Sequence, residues 1–164
     1  MSSMDLVLHE EEYQKIREVI ARLRAECNAK VVFLVDKNGQ QIAAQGELEA
    51  IDTTALASLA AGNVAATDSL ARLIGEKEFS ILFHEGERDN LHISVVGGRV
   101  ILVVIFDERS SLGLVRLRVK RGSNELGSIL DAMLKKSAAP RKAAAGGAPF
   151  AEITDEDIDK LFSD

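Results

Sequence analysis

The sequence has a single cysteine, Cys27, and no tryptophan, and only 4% of its residues are aromatic. One cysteine cannot form an internal disulfide, so the fold does not depend on an oxidising compartment. Hydrophobic residues still make up 46% of the 164 residues, which is enough for a buried core. The composition therefore predicts a fold held together by packing, as one domain with an appendage.

The sequence also lacks an excess of basic residues. It has 20 Lys and Arg against 26 Asp and Glu, for a net charge of −6. Binding to nucleic acid or to an anionic membrane needs clustered cations. The longest apolar run, Val100–Phe106, is too short to span a bilayer as a helix, and the first residues lack the basic start of a signal peptide. We expect a cytoplasmic protein with no nucleic-acid partner and no direct membrane insertion.

Catalytic motifs are missing as well. There is no phosphate-binding G-x-x-x-x-G-K-[ST] loop, and the potential metal ligands His9, His84, His92 and Cys27 are scattered along the chain, without the spacing of a metal site. Cys27 falls on the apolar stripe of a predicted helix, where a structural role is typical. The acidic runs Glu10–Glu12 and Asp155–Asp157 are typical of solvated helix starts. We predict no catalytic residues, no metal and no cofactor.

Apolar periodicity predicts eight elements in the order α-β-β-α-β-β-β-α. The predicted helices are 10–27, 53–74 and 111–136, and the predicted strands are 30–36, 41–45, 79–84, 91–96 and 99–106. Asn38-Gly39 predicts a tight hairpin in which both residues take positive φ. Asp52 or Thr53 is a cap for the second helix and Gly75 ends it. The predicted fold class is α+β, with one mostly antiparallel five-stranded sheet and helices on both faces.

The last part of the sequence changes character. Residues 1–136 form the predicted domain, 137–149 are rich in Ala, Gly and Pro and predict a flexible linker, and 150–164 predict a short amphipathic helix. Its apolar residues are Phe150, Ile153, Ile158, Leu161 and Phe162. Such a tethered helix is typical of a peptide ligand for a partner's groove, but it is equally compatible with docking on its own domain.

The second predicted helix is unusually rich in small residues. Leu56, Leu59, Asn63, Leu70 and Ile74 give it one bulky face, and alanines and Gly62 surround that face. Small residues allow close backbone approach, which favours a protein-docking surface. The alternative is a thin helix lying close on its own sheet. A weaker feature is a basic rim of Lys15, Arg17, Lys120 and Arg121, which forms if the first and third helices lie side by side.

Several segments resemble the roadblock family of dimeric GTPase-interacting domains. They are AKVVFLVDKNGQ at 29–40, LAAGNVAA at 59–66, VVIFD at 103–107, SLGLVRLR at 111–118 and PFAEI at 149–153. The resemblance implies a homodimer that pairs the second helix and the third strand with those of its twin. It also implies a GTPase activator for a small Ras-like GTPase of bacterial cell polarity and gliding motility, concentrated at a cell pole.

In this family the GTP-bound GTPase sits over the second helix, and its own catalytic residues are reoriented without an arginine finger. The resemblance maps that surface onto Ala61, Gly62, Ala65 and Ser69, with Lys15, Lys120 and Arg121 at its margin. It assigns the C-terminal helix to a second contact with the GTPase. Ser69 departs from the pattern, because a smaller residue would ease contact there. The alternative is a non-catalytic roadblock scaffold or adaptor, and an enzyme that uses Cys27 is a remote third possibility.

Overall fold

In a computed structural model, the backbone is described for residues 10–145 and the side chains for residues 10–135. The helices are α1 (Glu10–Cys27), α2 (Thr53–Leu73) and α3 (Leu112–Ala145). The strands are β1 (Val31–Asp36), β2 (Gln41–Gly46), β3 (Ile81–Glu85), β4 (Asn90–Val96) and β5 (Val100–Phe106). The predicted element order is confirmed.

The five strands form one antiparallel sheet in the order β2-β1-β5-β4-β3. β1 and β5 are central and nearly fully buried, as expected for strands covered on both faces. β2 and β3 are the two edges. β3 begins at Ile81 rather than at residue 79, because its ladder with β4 starts at the pair Ile81 and Ser94.

The sheet separates two hydrophobic layers. Val32, Leu34 and Val104 point to one face, where they pack against α1 and α3. The alternate residues Phe33 and Val103 point to the other face, where they pack against α2. The period-two alternation of β1 and β5 thus places α1 and α3 on the face of the sheet opposite α2.

The hairpin between β1 and β2 differs in detail from the sequence prediction. Gly39 has a φ of +90°, but Asn38 does not take positive φ, so the turn is not the one that needs two such residues. Instead the Asp36 carboxylate accepts hydrogen bonds from the backbone N–H groups of Asn38 (2.9 Å) and Gln40 (3.0 Å). A register shift between Leu34 and Val35 accompanies this turn.

The predicted caps of α2 agree with the structure, whereas the predicted end of α3 does not. Asp52 caps α2 by accepting from the Ala55 N–H at 3.0 Å, and Gly75 follows its end with a φ of +84°, as predicted. α3 does not end at Lys136 but continues to Ala145, nine residues into the segment predicted as linker. The alanines there favour helix more than the linker composition suggested. The C-terminal segment 150–164 lies outside the described residues.

Candidate interaction surface

The buried side of α2 is made of small side chains. Ala57, Ala60, Ala61 and Val64 pack on the β1 and β5 residues of the sheet, and Ala71 is fully buried. The short side chains let the helix axis approach the sheet closely. Packing against its own sheet therefore accounts for part of the alanine content of α2, as one of the two sequence hypotheses expects.

A second set of small residues faces away from the sheet. Gly62, Ala65 and Ser69 are exposed, and their spacing of three and four places them on one line along the helix. We call them the small-residue stripe. A Cβ atom placed on Gly62 would meet no atom within 4 Å. Ala61 was predicted on this surface, but it is 8% exposed and packs on the sheet, which corrects that prediction.

Most of the bulky face of α2 is turned outward, although Leu56 packs against the core on the sheet. The exposed fractions are 72% for Leu59, 55% for Leu70, 83% for Leu73 and 65% for Ile74. We call these four residues the leucine flank. Such a cluster of large apolar side chains on a surface marks an interaction site. A bulky face on α2 was predicted from the sequence, but its exposure was not.

Two contacts orient the exposed surfaces of α2. Asn63 Nδ2 lies 3.2 Å from His84 Nε2 of β3, so the side of α2 that carries Leu59 and Leu70 faces the β3 edge. On the opposite side, a Cβ on Gly39 would lie 3.1 Å from the Cα of Ser58, so that side faces the β1–β2 hairpin. The leucine flank is therefore continuous with edge strand β3, whose Ile81 is 50% exposed.

The predicted cations do not lie at the margin of α2. Lys15 belongs to α1, and Lys120 and Arg121 belong to α3, so all three are on the face of the sheet opposite the small-residue stripe. Lys15 pairs with Glu11 at 3.6 Å. The sequence could not show this separation, because only the packing of α1 and α3 on the same face of the sheet creates it.

Among the described ionisable groups, the shifted pKa values follow from ion pairing or from burial. Arg109 binds Asp107 at 2.9 Å and Glu47 at 3.1 Å, and its hydrogen bonds lower the pKa of the Asp107 carboxyl. Burial raises the pKa of the Cys27 thiol to about 11, and burial lowers the pKa of His92. A thiol with so high a pKa is a weak nucleophile at neutral pH, which favours the structural role predicted for Cys27.

No group of three or more His, Cys, Asp and Glu side chains within the described part of the chain is placed to hold a metal ion. None of the described helices combines the length and apolar character that crossing a membrane requires. The most distinctive surface in the described region is thus α2, with its small-residue stripe and its leucine flank.

Comparison with known proteins agrees with this architecture. A family model described as the Roadblock/LC7 domain matches residues 15–106. The chain belongs to the Roadblock/LC7 family. The resemblance predicted from the sequence segments is therefore confirmed at the level of the family.

Solved structures similar to this chain include MglB proteins. The structure of Myxococcus xanthus MglB is 60% identical, covers 78% of this chain and 96% of its own, and superposes with a TM-score of 0.74. The gliding protein MglB of Thermus thermophilus is 38% identical, with coverage of 77% and 96% and a TM-score of 0.72. An uncharacterised protein of Methanocaldococcus jannaschii is 34% identical over 113 residues, covering 68% of this chain and 92% of that protein.

Proposed function

We propose that this protein is a homodimeric GTPase activator for a small Ras-like GTPase that controls cell polarity and gliding motility, acting in the cytoplasm near a cell pole. The likeness to Myxococcus xanthus MglB, at 60% identity, supports the proposal, and the Thermus thermophilus protein is described as a gliding protein. The observation that carries it is the exposed small-residue stripe of α2. The GTPase partner itself is inferred from the roadblock resemblance.

The dimer forms through the leucine flank and edge strand β3. Four large apolar residues on α2 and Ile81 on β3 are half or more exposed in the single chain, and an open strand edge favours pairing with a second copy. A two-fold axis at this edge would bury the flanks of both copies against each other. A solved MglB structure, 36% identical to this chain, has a tetrameric arrangement, so association between copies occurs in similar proteins.

A matched pair of leucine variants tests the dimer. Leu70→Glu places a charge in the flank and is expected to yield monomers in sedimentation velocity. Leu117→Glu makes the same change at a leucine of α3 that is 63% exposed, and it is expected to leave the dimer intact. Dimerisation of both variants, or dissociation of both, contradicts the assignment of the seam.

The GTPase docks on the small-residue stripe. Gly62 and Ala65 offer almost no side chain, so a partner backbone can approach the helix closely, and Ser69 turns its hydroxyl onto the Ala65 carbonyl at 3.3 Å. The Ser69 hydroxyl therefore already has a partner within the helix and presents little unsatisfied polarity to a docked protein.

The docking surface is tested by phosphate release from the GTPase. Ala65→Arg introduces a long cation into the stripe and is expected to abolish stimulation while the chain stays folded, because Ala65 is exposed. Ala21→Arg, at an exposed alanine of α1, is the matched control and should stimulate normally. Normal stimulation by Ala65→Arg would mean that the stripe is not the docking site.

Activation works by shifting the GTPase toward its catalytic conformation, without an inserted arginine. The arginine beside the stripe is Arg72, whose Nη2 donates to Ser69 Oγ at 3.3 Å. We therefore expect Arg72→Ala to retain stimulation. A variant that binds the GTPase but no longer accelerates hydrolysis would identify Arg72 as a finger and overturn this mechanism.

The alternative is a scaffold or adaptor that binds a GTPase without changing its turnover. The same stripe would serve both functions, and phosphate release from the bound GTPase separates them. Binding of the GTP-loaded GTPase with no change in phosphate release would identify the scaffold. The predicted GTPase contact of the C-terminal residues lies outside the described part of the chain and stays a prediction.

A further inference from the structure

The face of the sheet opposite α2 carries two hollows along α3. There α1 and α3 pack side by side, and the Arg22–Glu125 ion pair joins them near the middle. On one side of this ion pair lies a hollow lined by Glu12, Lys15, Ser128, Ile129 and Ala132. On the other side lies a hollow whose lining residues Leu117, Arg118 and Arg121 all belong to α3. We call these the proximal and the distal hollow.

The distal hollow lies in a strongly basic part of α3. Arg116, Arg118, Lys120 and Arg121 fall within six residues, and no acidic residue occurs between Glu108 and Glu125. This part of α3 also carries Leu117, which is 63% exposed. An exposed leucine among cations suits an occupant that combines apolar side chains with acidic ones.

The C-terminal segment of the same chain has this composition. Residues 150–164 contain six acidic residues and one lysine, and their large apolar residues form two groups, Phe150 with Ile153 and Ile158 with Leu161 and Phe162. In a helix the centres of the two groups lie about 13 Å apart. The centres of the proximal and distal hollows, near residues 130 and 119 of α3, lie about 17 Å apart by the same rise per residue. The spacing of the two apolar groups therefore agrees with that of the hollows to within one helical turn of about 5.4 Å.

The chain is long enough to make this contact. From Ala145, the end of α3, back to Arg121 is about 36 Å along the helix. The five residues up to Phe150 reach about 17 Å when extended, and a helix from Phe150 to Phe162 adds about 18 Å. A segment that returns antiparallel to α3 thus brings Phe162 beside the distal hollow and Phe150 and Ile153 beside the proximal one.

We propose that residues 150–164 dock as an amphipathic helix along α3, over the proximal and the distal hollow. The two apolar groups fill the two hollows, and the acidic residues face the basic part of α3. This gives Lys120 and Arg121 a role on the face opposite the small-residue stripe. The inference concerns the free protein and is tested without any GTPase, so its failure would leave the proposed function untouched.

Paramagnetic broadening in the full chain tests the docking. A nitroxide is attached to the Ser163→Cys variant in a Cys27→Ser background, and amide signals are compared before and after reduction of the label. Docking predicts that the signals of Leu117 to Arg121 lose more than half of their intensity, while those of the small-residue stripe keep theirs. The spectrum itself shows whether the variant is folded.

Charge reversal provides the control. The double variant Lys120→Glu, Arg121→Glu is expected to remove most of the broadening on α3. Lys77→Glu, Arg99→Glu makes the same change in charge at exposed cations elsewhere and should retain it. The proposal is overturned by broadening on α2 instead of α3, by weak uniform broadening, or by an equal effect of the two double variants.

Discussion

Replacing Gly62 by alanine is expected to stabilise this protein and to weaken its complex with the GTPase. Gly62 lies in the interior of α2, and a Cβ at this position would meet no atom within 4 Å. Alanine restricts the unfolded chain and favours helix, so we expect a gain of roughly 0.5–1 kcal/mol in the free energy of unfolding. For a chain of this size, that gain corresponds to an increase in Tm of roughly 2–4 °C.

The effect on docking has the opposite sign. A methyl group that intrudes into a close backbone contact costs about 1–3 kcal/mol, which weakens GTPase binding by about 5-fold to 150-fold. Urea unfolding at fixed protomer concentration gives the first quantity, and titration with the GTP-loaded GTPase gives the second. Gly127→Ala is the control, because its Cβ also meets nothing within 4 Å but lies on α3.

The two measurements separate three outcomes. Stabilisation with unchanged binding would refute the close approach at Gly62. If Gly62→Ala is less stable than the wild type, and the difference grows as the protein concentration is raised, Gly62 lies in the dimer seam instead. Only the combination of a more stable chain and a weaker complex, together with normal binding by Gly127→Ala, agrees with the reasoning.

Three further predictions concern the packing of the domain. Gly122→Ala would place a Cβ 2.6 Å from a Leu23 methyl carbon. We therefore expect the free energy of unfolding, measured with urea, to fall by about 1–3 kcal/mol, whereas Gly127→Ala should increase it. Burial raises the thiol pKa of Cys27 from 9.0 to about 11, so the free energy of unfolding of the wild type should decline as pH rises above 9. Cys27→Ser should not show this decline. An equal decline in both proteins would exclude the Cys27 thiol as its cause. Burial lowers the pKa of His92 below 6.5, so stability should fall as pH drops below 6.5, and His92→Leu should weaken this dependence in unfolding at pH 5 and 7.

The sequence predicted most of the fold because its elements are locally encoded. The apolar stripe of α1, the continuous apolar run of β5 and the capping residues Asp52 and Gly75 each specify their element with little help from the rest of the chain. The hairpin was predicted in place but not in type, because the Asp36 carboxylate selects a turn in which Gly39 alone takes positive φ.

The site was predicted less well, because its geometry depends on packing between distant elements. The stripe residues Gly62 and Ala65 are exposed as expected, but Ala61 is not. With so many alanines around α2, the sequence does not define which side meets the sheet. The separation of Lys120 from α2 follows from the packing of α3 and α2 on opposite faces of the sheet, which the spacing of residues along one helix cannot reveal.

The arrangement of α2 connects folding with the proposed function. In an ordinary surface helix large apolar residues face the core and small or polar ones face solvent, whereas here Ala57 and Ala60 meet the sheet while Leu59 and Leu73 are exposed. Burying one such leucine contributes about 1.5–3 kcal/mol. The single chain does not gain this free energy, but contact with a second copy would provide it. A helix that needed only to cover its own sheet would gain by turning these leucines inward. In the proposed dimer these leucines lie at the seam between copies, and the small-residue stripe stays on a separate side of the same helix.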